Sequence, residues 1–359
     1  MDRSINLFLF IVVFCSGMLF GSGIKLIEAA DAIRLIGNKR ALFVSGESNN
    51  SYIDHHIAGS ILMPAQDLYR SDDMGNMRCA PLFDCPEEAE AYIRSKGVKN
   101  DQMIIAYDQF HGSYASGLYS YFESFGHADI RFLNGGLESI RLLDPNQQVF
   151  DKLKAEQVAI KREAEKAREA GETDKEKKLE SEAQGIEAKM NMLAANLLIR
   201  SGKEEVRESS DYILDASKIN TEYIAEKREV KKAVDDILKN GNQSKFAIID
   251  ARSMEEIIGQ KKRDQVVRGG HIPGAVFVGC RKITDTKNRK SFKSREEMQK
   301  IFDKVGIGKN KTIYVYSHIG VGCGSYIAAA LRLLGYEKIK IFTGGWNTWG
   351  NDMNLPIRR

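Results

Sequence analysis

Residues 312–346, TIYVYSHIGVGCGSYIAAALRLLGYEKIKIFTGGW, decide the fold. Ile313-Tyr314-Val315-Tyr316 is a run of β-branched and aromatic residues of the length and kind that form a buried strand. It stops at a loop, Ser317 to Gly322, with glycines at 320 and 322 and a third at 324. Ile327, Leu331 and Leu334 then recur at helical spacing until Gly335, and Ile339-Lys340-Ile341-Phe342 reads as the next strand, closed by Gly344-Gly345. Strand, glycine-rich loop, helix and strand make a βαβ unit. Such a loop, at the carboxyl end of a strand and feeding a helix N-terminus, directs backbone N–H groups toward one point and suits an anion.

Working outward, the same order occurs twice. Laying Tyr107 on Tyr316 brings Gly126 onto Gly335, Ile130 onto Ile339 and Gly135-Gly136 onto Gly344-Gly345 without a gap. His56-Ile57-Ala58-Gly59 falls beside His271-Ile272-Pro273-Gly274 with a small change of length. In the first copy an amphipathic segment is expected at 26–36, strands at 41–44, 103–107 and 130–133, and helices at 86–96 and 114–125. In the second, helices are expected near 230–238 and 295–305 and a strand at 246–249. An internal repeat of this kind predicts two α/β domains, each a parallel sheet flanked by helices.

The second copy resembles the active-site half of a rhodanese, the family of thiosulfate and related sulfurtransferases. Gly320 and Gly344-Gly345-Trp346 match the family pattern, whose loop has the form Cys-x-x-Gly-x-(Arg or Thr). Ser317 stands at the position of the family cysteine, and Gly322 where Arg or Thr is usual. The resemblance covers roughly 25–148 and 212–359. It implies that Asp108, at the position of Ser317 in the first copy, marks a non-catalytic half, and that the active loop faces a cleft against the first domain. It also implies that His56 and His271 belong to a structural turn, and that Asp250 and Arg252 order the region beneath the loop.

From Phe150 to about Arg200 the chain is dense in Lys, Glu and Ala and has no proline. Leu179, Ala183, Ile186, Met190, Leu193 and Leu197 step by fours and threes, as do Phe150, Leu153, Gln157, Ile160, Ala164 and Ala167. Ala170 to Asp174 interrupts the pattern, with Thr173 or Asp174 as the expected N-cap. An antiparallel, coiled-coil-like hairpin is predicted, either a solvated spacer or a contact arm for a partner or a second copy of the chain. The expected organisation is thus a leader at 1–23, a first domain at 24–148, the hairpin insertion at 149–211 and the active-loop domain at 212–359.

The leader reading rests on Met1-Asp2-Arg3, the apolar run from Ile5 to Phe14, and small residues at Gly21 and Gly23. It predicts a periplasmic or secreted protein, or a membrane-anchored one if the segment stays attached. Without Cys15 four cysteines remain, and export would permit Cys79 and Cys85 to close a small loop. A net charge of +4 over 359 residues, with no basic stripe, implies no nucleic-acid partner. No His/Cys spacing suits zinc and no dinucleotide fingerprint is present, so neither metal nor organic cofactor is expected.

Sulfur transfer needs a nucleophile that can attack an S–S bond and hold the sulfur, which a thiolate does and a serine hydroxyl does not. Three readings follow from Ser317. The loop His318, Ile319, Gly320, Val321 and Gly322 is an anion site that has lost its sulfur carrier; or Cys323 or Cys280 has taken over the chemistry; or the chain is a silent binding protein. Arg268, Arg281 and Lys282 are candidate cations for thiosulfate or another sulfur oxyanion. The implied reaction moves sulfane sulfur from thiosulfate, polysulfide or a persulfide to a thiol or cyanide, so the expected partners are a small sulfur anion and a thiol acceptor.

Overall fold

A computed structural model describes residues 23–71, 77–79, 85–204, 206–220 and 222–359. The leader expected at 1–23 lies outside the described residues except for Gly23. The first sheet contains β1 (Leu26–Ile27), β2 (Ala41–Ser45), β3 (Ile61–Leu62), β4 (Met103–Tyr107) and β5 (Ile130–Leu133), in the spatial order β1-β5-β4-β2-β3. The second contains β6 (Ile224–Ala225), β7 (Phe246–Asp250), β8 (Ala275–Phe277), β9 (Thr312–Tyr316) and β10 (Ile339–Phe342), in the order β6-β10-β9-β7-β8. Every pairing in both sheets is parallel. Central strands therefore have both faces covered, which is why they read as nearly unbroken apolar runs.

The repeat extends to individual hydrogen bonds. Ile57 N donates to the Tyr107 hydroxyl at 3.1 Å, and Ile272 N donates to the Tyr316 hydroxyl at the same distance. Leu137 N and Glu138 N donate to the carbonyls of Asp108 and Gln109; Trp346 N and Asn347 N donate to those of Ser317 and His318. His56 Nδ1 meets the Tyr52 carbonyl and His271 Nδ1 the Ile257 carbonyl, so both histidines hold turns. The amphipathic segment 26–36 divides between two elements. Leu26–Ile27 forms the edge strand β1, and the helix is limited to Ala29–Ile33.

The domains meet through α1 (Ser113–Ser124) and, in the second domain, a helix at Ser325–Leu333 that packs against it. The contact is a pseudo-twofold one, because residues at equivalent repeat positions touch each other. Ser116 Oγ and Ser325 Oγ lie 3.1 Å apart, and Glu123 takes two hydrogen bonds from Arg332 at 2.6 and 2.8 Å. The symmetric pair of close approaches is also present: Gly117 packs on Val321, and Gly112 on Tyr326, which are each other's repeat equivalents. A β-carbon at 117 would collide with the Val321 side chain. One apolar core runs through this contact, taking in Ala115, Leu118 and Phe122 from one domain and Val321, Tyr326 and Ile327 from the other.

Between the domains, α2 (Pro145–Glu169) and α3 (Thr173–Ala194) form the predicted hairpin. Gln157, Ala164, Ala167, Ala183 and Ile186 are buried along the seam, so the apolar face is used between the two arms. The hairpin starts at Pro145, capped by Asp144, four residues before the expected boundary. Its turn passes through Gly171, and Glu172, not Thr173 or Asp174, holds the N-cap position of α3. At 25 residues α2 is about 38 Å long at 1.5 Å per residue. Ile199–Arg200 then pairs antiparallel with His56–Ile57, tying the returning chain to the first domain. Among the described residues no helix is long and apolar enough to cross a membrane.

Two stability measurements follow from the interdomain contact. Arg332→Ala leaves the mostly buried Glu123 carboxylate without its partner and should cost about 2–4 kcal/mol in denaturant titration, while the charge swap Glu123→Arg/Arg332→Glu recovers a large part of it. Equal losses in the single and the swapped protein would show that the pair contributes no specific coupling. Gly117→Ala should cost about 1–3 kcal/mol by overpacking, and adding Val321→Ala should return most of that.

Candidate functional site

The loops at the carboxyl ends of β4 and β9 are the two points where the repeat places chemistry. In the first, the Asp108 carboxylate accepts N–H bonds from Gly112 at 3.0 Å, Tyr114 at 3.1 Å and Ala115 at 3.3 Å. These amides lie at the start of α1, so the loop is an anion site already filled by the chain's own carboxylate. Asp108 is buried, and burial pushes its carboxyl above the usual range against the pull of those amides. The Glu47 carboxyl is driven up to about 7, by burial and then by the Asp108 charge. No external anion is needed, and none could enter without displacing Asp108.

In the second loop Ser317 is 4% exposed, and its hydroxyl donates to the Ile319 carbonyl at 2.6 Å. Ile319 and Val321 are buried, with Val321 against Gly117 of α1, so the middle of the loop is closed against the first domain. Gly320 N donates to the Thr343 carbonyl at 2.8 Å; this amide, expected to face an anion, is engaged within the protein. At Gly322 the backbone changes character: φ is +99°, which favours glycine, and a β-carbon there would meet nothing within 4 Å. The loop is thus tightly packed through Val321, and Gly322, though itself buried, leaves room for a β-carbon. Ser325 N donates to the Gly322 carbonyl as the chain enters α4 (Ser325–Leu333).

Cys280 and Cys323, two candidate thiols 43 residues apart in sequence, are joined as a disulfide with Cα atoms 5.3 Å apart. Cys323 lies two residues before α4, and Cys280 follows β8, its amide donating to the Ala251 carbonyl at 3.4 Å. Both are half-buried, in contrast to the enclosed Ser317. Cys79 and Cys85 form the second disulfide, as the spacing allowed. Among the described residues these four cysteines are all paired.

Beneath the loop, Asp250 and Arg252 are buried together. Arg252 donates to both Asp250 oxygens, at 3.0 and 2.6 Å, and to the Gly270 carbonyl at 2.7 Å. The Tyr316 hydroxyl donates to the same carboxylate, and the Arg252 guanidinium lies 4.4 Å from the Trp346 ring. Trp346 N in turn donates to the Ser317 carbonyl. The pair therefore supports both ends of the loop, through Tyr316 before it and Trp346 behind it.

Two expected site residues have other duties. The guanidinium of Arg268, a candidate cation for an oxyanion, donates to the carbonyls of Trp349, Gly350, Asp352 and Leu355, closing the end of the last helix and the segment after it. His318 Nε2 meets Glu256 at 2.5 Å. Burial alone would raise the Glu256 carboxyl, but His318 and Ser253 outweigh it and bring it down to about 2. Burial holds His318 below its ordinary value against the pull of Glu256, and its Nδ1 is enclosed without a hydrogen-bond partner. Glu256 was missed by sequence reasoning. Its place in Ser253-x-x-Glu256 announces a capping box, which the structure contains, but nothing local points to His318.

The rhodanese-like domain family matches residues 28–142 and 231–352. The sulfur carrier protein TtuD of Thermus thermophilus is 32% identical over 134 residues, which are 35% of this chain and 46% of that protein. A protein of Saccharopolyspora erythraea named "Putative thiosulfate sulfurtransferase" is 23% identical over 321 residues, 87% of each chain. Among solved structures, SseA from Escherichia coli, described with the rhodanese fold and mechanism of 3-mercaptopyruvate sulfotransferases, aligns with a TM-score of 0.61 and 18% identity, over 90% of this chain and 99% of that one. The anaerobic ergothioneine biosynthesis enzyme from Chlorobium limicola aligns with a TM-score of 0.60 and 19% identity, over 93% and 70%. At these identities the structural likeness carries the fold alone. With the domain matched twice over most of its length, and with the repeat visible down to paired hydrogen bonds, this chain belongs to the rhodanese family of sulfurtransferases as a tandem-domain member.

Proposed function

We propose that the chain is an exported sulfurtransferase that moves sulfane sulfur from a small anion or persulfide, such as thiosulfate or polysulfide, to a thiol or cyanide. Serine occupies the place of the family nucleophile, and the working thiol lies on the same loop at Cys323. The observation that carries this reading is the placement of the loop's reactive groups. Ser317 is enclosed and bonded to its own loop, whereas Cys323 is half-buried and lies just before a helix N-terminus. A helix N-terminus lowers the pKa of a thiol, and thiolate character is what attack on an S–S bond requires. The first domain, with its loop filled by Asp108, acts as the wall against which the second loop is held. The apolar seam of the hairpin is covered by its own arms, which supports a spacer more than a contact arm. Two disulfides among the described cysteines, together with the leader-like N-terminus, support an oxidising compartment.

Thiosulfate:cyanide turnover by the protein reduced beforehand should fall at least tenfold in Cys323→Ala and stay within about twofold in Ser317→Ala. Turnover that appears only in Ser317→Cys would instead favour an anion site that has lost its sulfur carrier. Turnover that survives Cys323→Ala would overturn the assignment to that thiol, and absence of turnover in every form would favour a silent binding protein. For export, the protein recovered from its native host should begin near residue 24 and fractionate outside the cytoplasm; an intact N-terminus in the cytosolic fraction refutes that part.

A further inference from the structure

Of the reactive groups on the second loop, the Cys280–Cys323 pair is placed to do more than carry sulfur. It joins the loop after β9 to the segment after β8, across the carboxyl end of the sheet, where parallel α/β folds place their ligands. Both sulfurs belong to half-buried residues, and the space left by Gly322 adjoins Cys323. Exposed Arg281 and Lys282 follow Cys280 and give the approach a positive charge. A sulfur carrier with no neighbouring thiol can only hand its sulfur to an outside acceptor. A second thiol within bonding distance gives the bound sulfur another exit.

We infer that Cys323 and Cys280 form a nucleophile and resolving pair that reduces sulfane sulfur to hydrogen sulfide. This rests on the reading of the chain as a protein that accepts sulfane sulfur. In the reduced protein the Cys323 thiolate attacks the outer sulfur of thiosulfate; the donor S–S bond breaks and sulfite leaves with its electron pair, so that Cys323 carries a persulfide. The Cys280 thiolate then attacks Cys323 Sγ. The bond from Sγ to the terminal sulfur breaks, and that sulfur leaves with the pair and takes up protons as hydrogen sulfide. The disulfide in the structure is the product. In total, two thiols and thiosulfate give the disulfide, sulfite and hydrogen sulfide, with the sulfane sulfur reduced by two electrons. An external thiol or dithiol, itself oxidised to a disulfide, returns the pair to its starting state.

A single-turnover experiment tests this. Full-length protein is reduced, freed of reductant without air and mixed with thiosulfate; sulfite, sulfide and the Cys280–Cys323 cross-linked peptide are then measured. The wild type should release sulfite and sulfide in equal amounts, matched by the cross-linked peptide. Cys280→Ser should release sulfite but little sulfide and retain a persulfide on Cys323 that cyanide converts to thiocyanate. Cys323→Ser should release neither. Sulfite without sulfide from the wild type, with the sulfur still cyanide-labile, would overturn the reductive step and leave the sulfurtransferase reading standing. Undiminished sulfide from Cys280→Ser would overturn the resolving role. No sulfite from any form would overturn both.

Discussion

The structure depends on the contact between α1 and α4, where the two copies of one module meet face to face. Near the pseudo-twofold axis the pairing is between like residues, Ser116 and Ser325. Away from it the copies have diverged into complements: a carboxylate in one and a guanidinium in the other, at equivalent positions. A true twofold would bring two glutamates or two arginines together there, which a mostly buried site does not tolerate. Duplication within one chain removes that restriction. The apolar core is accordingly shared, and the second domain's loop is shaped as much by Gly117 of the first domain as by its own sequence.

The two loops show how one backbone arrangement can be put to different uses by its first residue. Asp108 is long enough to turn back and fill the amides at the start of its helix. The Ser317 hydroxyl is shorter and satisfies itself on the Ile319 carbonyl. Beneath the second loop the buried Asp250–Arg252 pair has every charge answered, by Tyr316, Gly270 and the Trp346 ring, which is the condition under which a buried ion pair is tolerated. In the first domain Ser45 occupies the place of Asp250, paired in register with Tyr107 as Asp250 is with Tyr316. The supporting ion pair thus belongs to the half that carries the Cys280–Cys323 disulfide.

Much of the architecture was legible in the sequence because it is built from long-period regularities. Strands buried on both faces appear as short apolar runs, the repeat aligns without a gap through the α1 and α4 modules, and the hairpin seam follows its heptad-like steps to Gln157, Ala183 and Ile186. The edge strands β1 and β6 were not legible, since two residues carry no period. The hairpin boundary could have been placed better: Asp144-Pro145 is a cap followed by a proline in the first turn. Within the site, the orientation of side chains was out of reach. Arg268 is drawn to carbonyls more than 80 residues away, Glu256 meets His318 across the fold, and Cys280 finds Cys323 through the packing of β8 beside β7. Such pairings depend on tertiary geometry, which no local spacing encodes.

The hairpin enters and leaves the first domain at one point. Asp144 caps α2 with one carboxylate oxygen and accepts Leu198 N at 2.9 Å with the other, and the next residues continue into the Ile199–Arg200 pairing. Asp144 therefore ties the two feet of the stalk together, the full length of α2 away from the Gly171 turn at its outer end. Its length is then an independent variable of the molecule: whole heptads could be gained or lost at the tip, carrying the Gly171 turn outward or inward, while the body of the protein keeps its shape.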